Sequence, residues 1–559
     1  MARVGSLSRG VVARVARVLL PGGLAATGLL LAVLSTGPAG YVAACGALVV
    51  GWWAHRPAPL GADVATRVLV AATVLIHAGE GATGAWWPLL ASGAVALGLV
   101  LAEPVLQRAG RPWYRVANLG VPVRWPVAAV TGSAVWLADS ALLVWIGLVG
   151  VAGQPAAATL PPVVAVALLW ALVGGDAARR YRSRHRDELA ALRDAVTAHG
   201  PRFLLYFSAP PGSGYQARMW LPFLEQIGEP FLVVMPDAGH LTEFARLTDA
   251  PVIAYESFEA FDALLVPGLR TAFYVNNGMH NVHCVRYRRL THVQLYHGDS
   301  DKAVTASPVN ALYDLIFVAG QAAIDRYALH GVRIPTEKFR VVGRPQVAQV
   351  RPAARPIHET PAPVVLYAPT WVGGYADTRH CSLPIGEAVV RGLLERGATV
   401  IVRPHPYIRR DRRSAATLRR IARLLAEDRR RTGRPHRVGG GQPLAADINA
   451  SDAMVCDVSA VASDYLASGK PFAITDMAGA GAAMTESFPL ARAAYVLRRD
   501  AGNLTEVLAD LLGADPLAEV RRNLRAYYLG DAPPERHPEM FLAEARAVVA
   551  EPAAARSVG

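Results

Sequence analysis

The sequence predicts an α-helical membrane domain followed by an α/β region, and three observations carry that expectation. Hydrophobic residues make up 52% of the 559, and the apolar excess lies ahead of about residue 175. From residue 201 onward, short β-rich runs alternate with helical segments. Arginines fill every second connection between the apolar stretches and are missing from the others. The last two thirds of the chain is long enough to bury one or two substantial cores.

Six apolar stretches lie near residues 17–37, 39–53, 64–79, 84–102, 126–150 and 157–174. A bilayer span needs roughly 20 apolar residues, and the second and third stretches are shorter. A cleaved signal peptide would account for the first stretch and leave the other five unexplained. Arg3, Arg9, Arg14 and Arg17 precede the first stretch, and Arg56 and Arg67 lie between the second and third. Arg108, Arg111, Arg115 and Arg124 lie between the fourth and fifth, and Arg179, Arg180, Arg182, Arg184 and Arg186 follow the sixth. Connections 35–40, 77–84 and 151–159 carry no Lys or Arg. Under the positive-inside rule this alternation fits six spans of a plasma-membrane protein, with both termini and the α/β region cytoplasmic. Asp139, inside the fifth stretch, marks either a functional position or a carboxylate hydrogen-bonded between packed helices; the second reading is preferred. Nothing in these stretches reads as a paired-charge transport path, which argues against a transporter.

The chain carries 57 basic and 44 acidic residues, a net charge of +13. That balance suits an anionic partner such as phospholipid headgroups, a polyphosphate-type substrate or nucleic acid. The surplus is almost all arginine in an alanine-rich chain, a pattern that genomic base bias also produces. Cys45, Cys284, Cys381 and Cys456 are far apart and form no CxxC pair, which argues against a zinc site or a disulfide framework.

The arginine-rich run 179–193 reads as a juxtamembrane helix. The chain then divides into a membrane domain over 1–178, this helix over 179–200, a first lobe over 201–355 and a second over 356–559. Strands are expected in the first lobe at 203–207, 231–235, 252–255, 271–275, 293–296, 315–318 and 340–342. A proline-rich linker at 351–363 precedes a second series at 364–367, 399–402, 453–456, 472–474 and 494–497. Strands alternating with helices imply parallel sheets covered on both faces. Two such lobes enclose a cleft, and open α/β sheets bind ligands at their strand ends.

Three blocks put chemistry-bearing residues just past an expected strand. His297-Gly298 with Lys302 offers an imidazole near neutral pKa, a glycine that lets the backbone turn, and a cation for a phosphate. Arg403-Pro404-His405-Pro406 fixes an arginine and a histidine between prolines, a rigid clamp for a diphosphate. In Asp457-Val-Ser459, followed by Ser463 and Asp464, the chain enters a helix with Ser459 as N-cap, where free N–H groups and a hydroxyl favour phosphate. Each block has a structural alternative: a core histidine, a proline turn, a plain helix cap.

Together with Val365-Leu-Tyr-Ala-Pro-Thr370-Trp371, these blocks resemble the CDP-glycerol glycerophosphotransferase family, which primes and polymerises teichoic acid. That family shows Trp-His-Gly, Tyr-Ala-Pro-Thr-Trp-Arg, Arg/Lys-x-His-Pro and Asp-Tyr-Ser-Ser blocks in this order, and the resemblance covers roughly residues 200–545. It implies two Rossmann-like lobes of the GT-B type, the first on the acceptor side and the second on the nucleotide-donor side. His297 would be the base acting on an acceptor hydroxyl. His405, Arg403, Thr370 and Ser459 would hold the donor diphosphate, with Lys302, Asp457, Ser463 and Asp464 beside them. The implied reaction moves a glycerol-phosphate or related polyol-phosphate unit from a CDP-linked donor to a lipid-linked or polymeric anionic acceptor, releasing CMP; nucleic acid is not an expected partner. Here Tyr296 stands for the family tryptophan, Asp299 for a common threonine, Val372 for an arginine and Ala460 for a serine. No carboxylate cluster with metal-ligand spacing lies near the blocks, so no tightly bound cofactor or metal is expected, and at most a weakly held Mg2+.

The alternatives are a GT-B glycosyltransferase using a nucleotide sugar and a non-catalytic nucleotide-binding membrane scaffold. One charge feature stands apart. Arg409, Arg410, Arg412, Arg413, Arg419, Arg420, Arg423, Arg429, Arg430 and Arg431 surround an amphipathic helix whose Leu418, Ile421 and Leu425 face the core. The arginines are either a solvated face or a contact for anionic lipid or a growing anionic polymer, at about 1 kcal/mol per basic group near a charged membrane.

Overall fold

The computed structural model describes residues 7–34, 38–55, 61–109, 112–121, 127–183, 186–374, 378–439 and 441–551. Arg3, Arg56, Arg111, Arg124 and Arg184, which enter the orientation argument, lie outside the described residues. The chain forms two compact units. One comprises Met1–Arg115, Val121–Arg193 and Glu256–Ala263, and the other Val116–Gly120, Asp194–Tyr255 and Leu264–Gly559.

The first unit holds six apolar helices: α1 (Leu7–Leu34), α2 (Ala39–Ala54), α3 (Val64–Gly81), α4 (Trp87–Ala109), α5 (Val127–Val151) and α6 (Leu160–Ser183). Four segments, Val64–Gly81, Trp87–Arg108, Gly132–Val151 and Ala156–Arg179, are long and apolar enough to cross a bilayer; Leu19–Leu34 and Ala39–Ala54 are apolar but shorter. The expected six spans thus appear as four of full length and two shorter ones among the described residues. Leu168 and Leu172 of α6 turn outward, 62% and 72% exposed, as lipid-facing side chains would. A Cβ on Gly150 would fall 2.3 Å from the Cα of Ala78, and one on Gly28 would fall 2.9 Å from the carbonyl oxygen of Gly40. Only glycine lets α5 meet α3, and α1 meet α2, at backbone distance.

The charge inside this bundle corrects the sequence reading. Arg67, placed above in a connection, lies within α3 and is fully buried. Its guanidinium forms a two-bond ion pair with the buried Glu103 of α4, with Nη2 2.5 Å from Oε2. Nη2 also donates to the Ala62 carbonyl at 3.0 Å. The guanidinium carbon stands 5.3 Å from the centre of the Trp136 ring. Asp139 accepts from the indole N–H of Trp170 at 2.9 Å, the interhelical carboxylate contact anticipated for it. The bundle therefore holds a buried ion pair, because arginine and glutamate at the borders of apolar runs are drawn inside once they can neutralise one another.

The second unit contains two sheets. Their strands are β1 (Tyr114–Ala117, of which Val116 and Ala117 belong to this unit), β2 (Phe203–Tyr206), β3 (Phe231–Met235), β4 (Val252–Tyr255), β5 (Thr271–Tyr274), β6 (Thr291–Gln294), β7 (Leu315–Val318) and β8 (Phe339–Val341) in the first. The second has β9 (Val364–Ala368), β10 (Thr399–Val402), β11 (Arg437–Val438), β12 (Ala453–Cys456), β13 (Phe472–Asp476) and β14 (Tyr495–Arg498). Every strand expected from sequence occurs within two residues of its expected place. β1 and β11, both short and at sheet edges, were not anticipated. Residues Val116–Gly120 belong to this unit, where the Asn118 amide donates to the carbonyls of Thr248 and Ala250.

The sheet orders are β1-β4-β3-β2-β5-β6-β7-β8 and β11-β10-β9-β12-β13-β14. Pairings within β2–β8 and within β9–β14 are parallel. Phe-Leu-Leu-Tyr in β2 and Phe-Leu-Val-Val-Met in β3 are buried at every position, as strands covered on both faces must be. Each lobe repeats the Rossmann order, with its topological switch between β2 and β5 in the first lobe and between β9 and β12 in the second. Ligands bind at such switch points, beyond the carboxyl ends of the strands. This is the two-lobed GT-B-like fold that follows the membrane helices. The last helix, His537–Ala550, lies at the end of the second lobe in sequence but buries Phe541, Ala545, Val548 and Val549 in the first lobe's core.

The Arg67–Glu103 pair yields a stability prediction. Glu103→Gln removes the carboxylate bonded to the buried guanidinium, with Asp139 as the remaining acid nearby, and should cost up to about 3–5 kcal/mol, while Arg67→Met/Glu103→Met together should recover much of the loss. Thermal unfolding in detergent measures both, and a neutral Glu103→Gln would mean that the pair carries no buried charge.

Candidate active site

The expected blocks all follow strand ends at the switch-point side of their sheets. Thr370 follows β9, Arg403 and His405 follow β10, Asp457 and Ser459 follow β12, and His297 follows β6. β10, β9 and β12 are neighbours, and the ladder runs on past their ends. Arg403 N–H donates to the Tyr367 carbonyl at 2.8 Å, and His405 N–H to that of Pro369 at 3.1 Å. Thr370 and His405 are thereby zipped side by side.

The first-lobe histidine is aimed by its neighbour. Tyr296 takes a left-handed backbone conformation, φ 56°, which a bulky residue adopts only when its surroundings enforce it. Its N–H donates to Gln294 Oε1 at 3.1 Å, and its hydroxyl bonds Tyr327 at 2.6 Å, the Thr305 carbonyl at 2.9 Å and the Asn310 amide. With Tyr296 locked into the lobe, His297 is turned the other way. Gly298 is required for a different reason from the expected turn: a Cβ there would lie 2.8 Å from the Cβ of Ala460 in the other lobe.

The two imidazoles carry opposite tautomers. His297 Nδ1 is 2.9 Å from the Val275 carbonyl, so it holds the proton and leaves Nε2 as a free acceptor. His405 Nδ1 accepts the Tyr407 N–H at 3.1 Å, so its proton sits on Nε2, a donor. Between them stands Tyr215, with ring centres 6.0 Å from His297 and 5.8 Å from His405 and its hydroxyl 3.5 Å from His405 Nε2. Burial lowers His297 to about 4. Burial, and then the charges of Lys302, His297 and Arg410, lower His405 to about 3. Burial also lowers the Lys302 ammonium, which the nearby Asp457 opposes. The Lys302 carbonyl accepts from Thr305, but its ammonium has no hydrogen-bond or ion-pair partner among the described residues.

The other expected residues divide into two groups. Ser459 occupies the N-cap position of the short helix Ala460–Tyr465 but makes no capping bond, and its hydroxyl is buried without a partner. The Thr370 hydroxyl makes no hydrogen bond among the described residues. These groups, with Lys302 and both Nε2 atoms, have hydrogen-bonding capacity to spare. Both oxygens of Asp457 are engaged by protein donors. Oδ2 accepts the N–H groups of Thr370 (2.6 Å) and Ser382 (3.1 Å), and Oδ1 accepts the Thr475 hydroxyl (2.7 Å). Arg403 is held by Asp447 and the Gln442 carbonyl. Asp464 is paired with the buried Arg344 of the first lobe, at 2.9 and 3.2 Å, and Ser463 donates to the Asp299 carbonyl at 2.8 Å. These last two join the lobes.

Residues 348–477 match the family model described as CDP-Glycerol:Poly(glycerophosphate) glycerophosphotransferase. That span includes Thr370, Arg403, His405 and Asp457 and leaves His297 outside. No curated protein matches the chain. Among solved structures, the wall teichoic acid polymerase TagF is 10% identical over 66% of this chain and 95% of that one, with a TM-score of 0.42. A glycosyltransferase from Rickettsia africae is 12% identical over 62% and 98%, TM-score 0.38, and S. aureus MnaA with UDP is 12% identical over 60% and 93%, TM-score 0.40. These likenesses are too distant to bear on substrate. Among the described residues, no group of three or more His, Cys, Asp or Glu side chains converges as a metal site would.

Sequence reasoning passed over Tyr215, Tyr407 and Arg344. Ser213 bonds the Tyr407 hydroxyl, the Arg410 guanidinium carbon sits 3.6 Å over the Tyr407 ring, and Arg410 donates to the Pro211 carbonyl. The signal available was position: Pro210 to Tyr215 follow β2, the switch-point strand of the first lobe.

Two predictions follow from these geometries. Asp457→Ala orphans three buried donors and should lower stability by on the order of 3–5 kcal/mol, seen as a lower thermal midpoint; lost activity at an unchanged midpoint would make Asp457 a ligand contact instead. Both histidines are neutral in the fold and return to about 6.5 on unfolding. Between about pH 4 and 6.5 the unfolded chain binds more protons, so stability falls as pH drops through that window. His297→Gln should flatten this loss by about 3 kcal/mol, and a His297 NMR signal titrating near 6.5 would refute the assignment.

Proposed function

We propose that this chain is a membrane-anchored transferase that moves a polyol-phosphate unit from a CDP-linked donor to a hydroxyl of a lipid-linked or polymeric anionic acceptor. The observation that carries the reading is the facing pair of imidazole nitrogens, a free acceptor on His297 and a proton donor on His405, contributed by opposite lobes across Tyr215. The acceptor hydroxyl gives its proton to His297 Nε2 as its oxygen bonds to the donor's β-phosphorus. The bond from that phosphorus to the bridging oxygen breaks, and CMP leaves with the electron pair. His405 Nε2–H and Lys302 would stabilise the charge that develops, and the spare hydroxyls of Thr370 and Ser459 would bind the remaining phosphate oxygens. A bound diphosphate raises the pKa of both histidines from their low resting values, which strengthens His297 as a base only when substrate is present.

The match of residues 348–477 to a glycerophosphotransferase family model supports a donor of this class. Arginines in alternate connections support a cytoplasmic site at the plasma membrane, where soluble CDP-linked donors are found. The membrane helices would then keep the cleft near a lipid-bound acceptor.

The test is to supply the detergent-solubilised chain with CDP-glycerol, CDP-ribitol or UDP-sugars plus an anionic acceptor and to follow nucleotide release. CMP release should fall at least 100-fold in both His297→Ala and His405→Ala, the scale of lost acid–base catalysis. UDP release from a nucleotide sugar, or CMP release indifferent to both substitutions, would overturn the reading.

A further inference from the structure

The helix Arg412–Thr432 carries eight arginines against two acids, Glu427 and Asp428. One of those acids is spent, since Asp428 is buried and taken by His436, Arg431 and Arg434. Leu418, Ile421 and Leu425 of the same helix are packed in the second lobe's core. Arg412, Arg419, Arg423 and Arg430 are spaced by seven, four and seven residues. At 3.6 residues per turn they fall within about 40° of one another, opposite the core face, along about 27 Å of helix. All four are exposed, and none has an ion-pair or hydrogen-bond partner among the described residues. The residues nearest this line on either side are Ala416 and Ala426, with Glu427 at its edge.

We propose that this single file of guanidinium groups is a docking surface for a linear phosphodiester polyanion that carries no bases. Four unpaired positive charges in a line one side chain wide match a chain of phosphates, and binding releases the counterions of both partners. A bilayer surface fits less well. Interfacial helices bury an apolar face among the lipids, and this helix has already spent its apolar face on the core. Nucleic acid fits less well too, because single strands are held largely by base stacking on aromatic rings and the helix has no aromatic residue. The proposal rests on the transferase reading only for the identity of the polymer, which would be the acceptor or growing product.

The experiment is a binding measurement on the full chain in detergent, with fluorescently labelled linear polyphosphate as probe and no nucleotide donor. Failure here therefore leaves the CMP-release reading standing, and failure of CMP release leaves this surface standing. Arg412→Gln/Arg419→Gln/Arg423→Gln/Arg430→Gln should weaken polyphosphate binding at least 10-fold. It should also make the log–log salt slope shallower by about three, as expected for four lost phosphate contacts. A charge-matched control, Arg391→Gln/Arg409→Gln/Arg413→Gln/Arg429→Gln, should change affinity less than 3-fold. Both variants should keep the parent thermal midpoint, since every substituted side chain is exposed. Equal losses in the two variants would reduce the effect to net charge. Stripe-dependent binding of phosphatidylglycerol vesicles without polyphosphate binding would assign the surface to lipid, and tighter binding of single-stranded DNA than of polyphosphate would assign it to nucleic acid. Each of these outcomes overturns the proposal.

Discussion

The Asp457 carboxylate holds the loops of the second lobe that carry the candidate site in place. A carboxylate shut away from water must be hydrogen-bonded on both oxygens, because desolvation otherwise costs more than the fold can spare. Here the bonds come from the loop after β9, from Ser382 and from the end of β13. Burial raises the pKa of this acid while its donors lower it, the balance of a group kept for its hydrogen bonds. Thr370 is fixed by Asp457, His405 is fixed beside Thr370 through the continued β9–β10 ladder, and the two spare hydroxyls of Thr370 and Ser459 flank the same crevice. The arrangement of the second half of the site descends from this one buried anion.

The first lobe meets that crevice through polar contacts of unequal kind. Arg344–Asp464 is a buried ion pair between lobes, and Arg344 Nη2 also lies 3.4 Å from the His297 carbonyl. One guanidinium thus ties the loop that carries the first histidine to the helix that follows Ser459. Around the cleft, neutral imidazoles and an unpaired lysine outnumber free carboxylates, because Asp457, Asp447 and Asp464 are all satisfied by protein donors. Desolvation keeps both histidines neutral.

Much of this was legible in the chain. Hydrophobic runs of four or five residues bounded by turn signals marked the central strands, because strands buried on both faces have no alternation to blur them. β1 and β11 were invisible for the converse reason: Tyr-Arg-Val-Ala and Arg-Val are edge pieces too short to carry a pattern. The His-Gly and His-Pro blocks stood out because unusual backbone and side-chain chemistry sits together there. Tyr215 did not, since a tyrosine after a proline–glycine loop has no distinguishing neighbour until the other lobe closes on it. Arg67 was misplaced because a charge at the border of an apolar run reads as an end of the helix, and only its partner Glu103, 36 residues on, draws it inside.

By itself the sequence determined which segments are apolar enough for lipid, which become parallel strands, and which strand ends carry histidine, hydroxyl and arginine. These are local properties, set by hydropathy, period and backbone restriction within a few residues. The tertiary structure alone decided which of these side chains already have protein partners. Asp457, Arg403 and Asp464, chosen as ligand contacts, are engaged by protein partners, whereas Lys302, Ser459 and Thr370 are left free. It also decided the histidine tautomers, since each is dictated by a backbone group brought to the ring by folding: the Val275 carbonyl for His297 and the Tyr407 N–H for His405. Whether a polar group can bind a ligand depends on whether another part of the chain has already satisfied it, and that is a property of packing across long sequence distances.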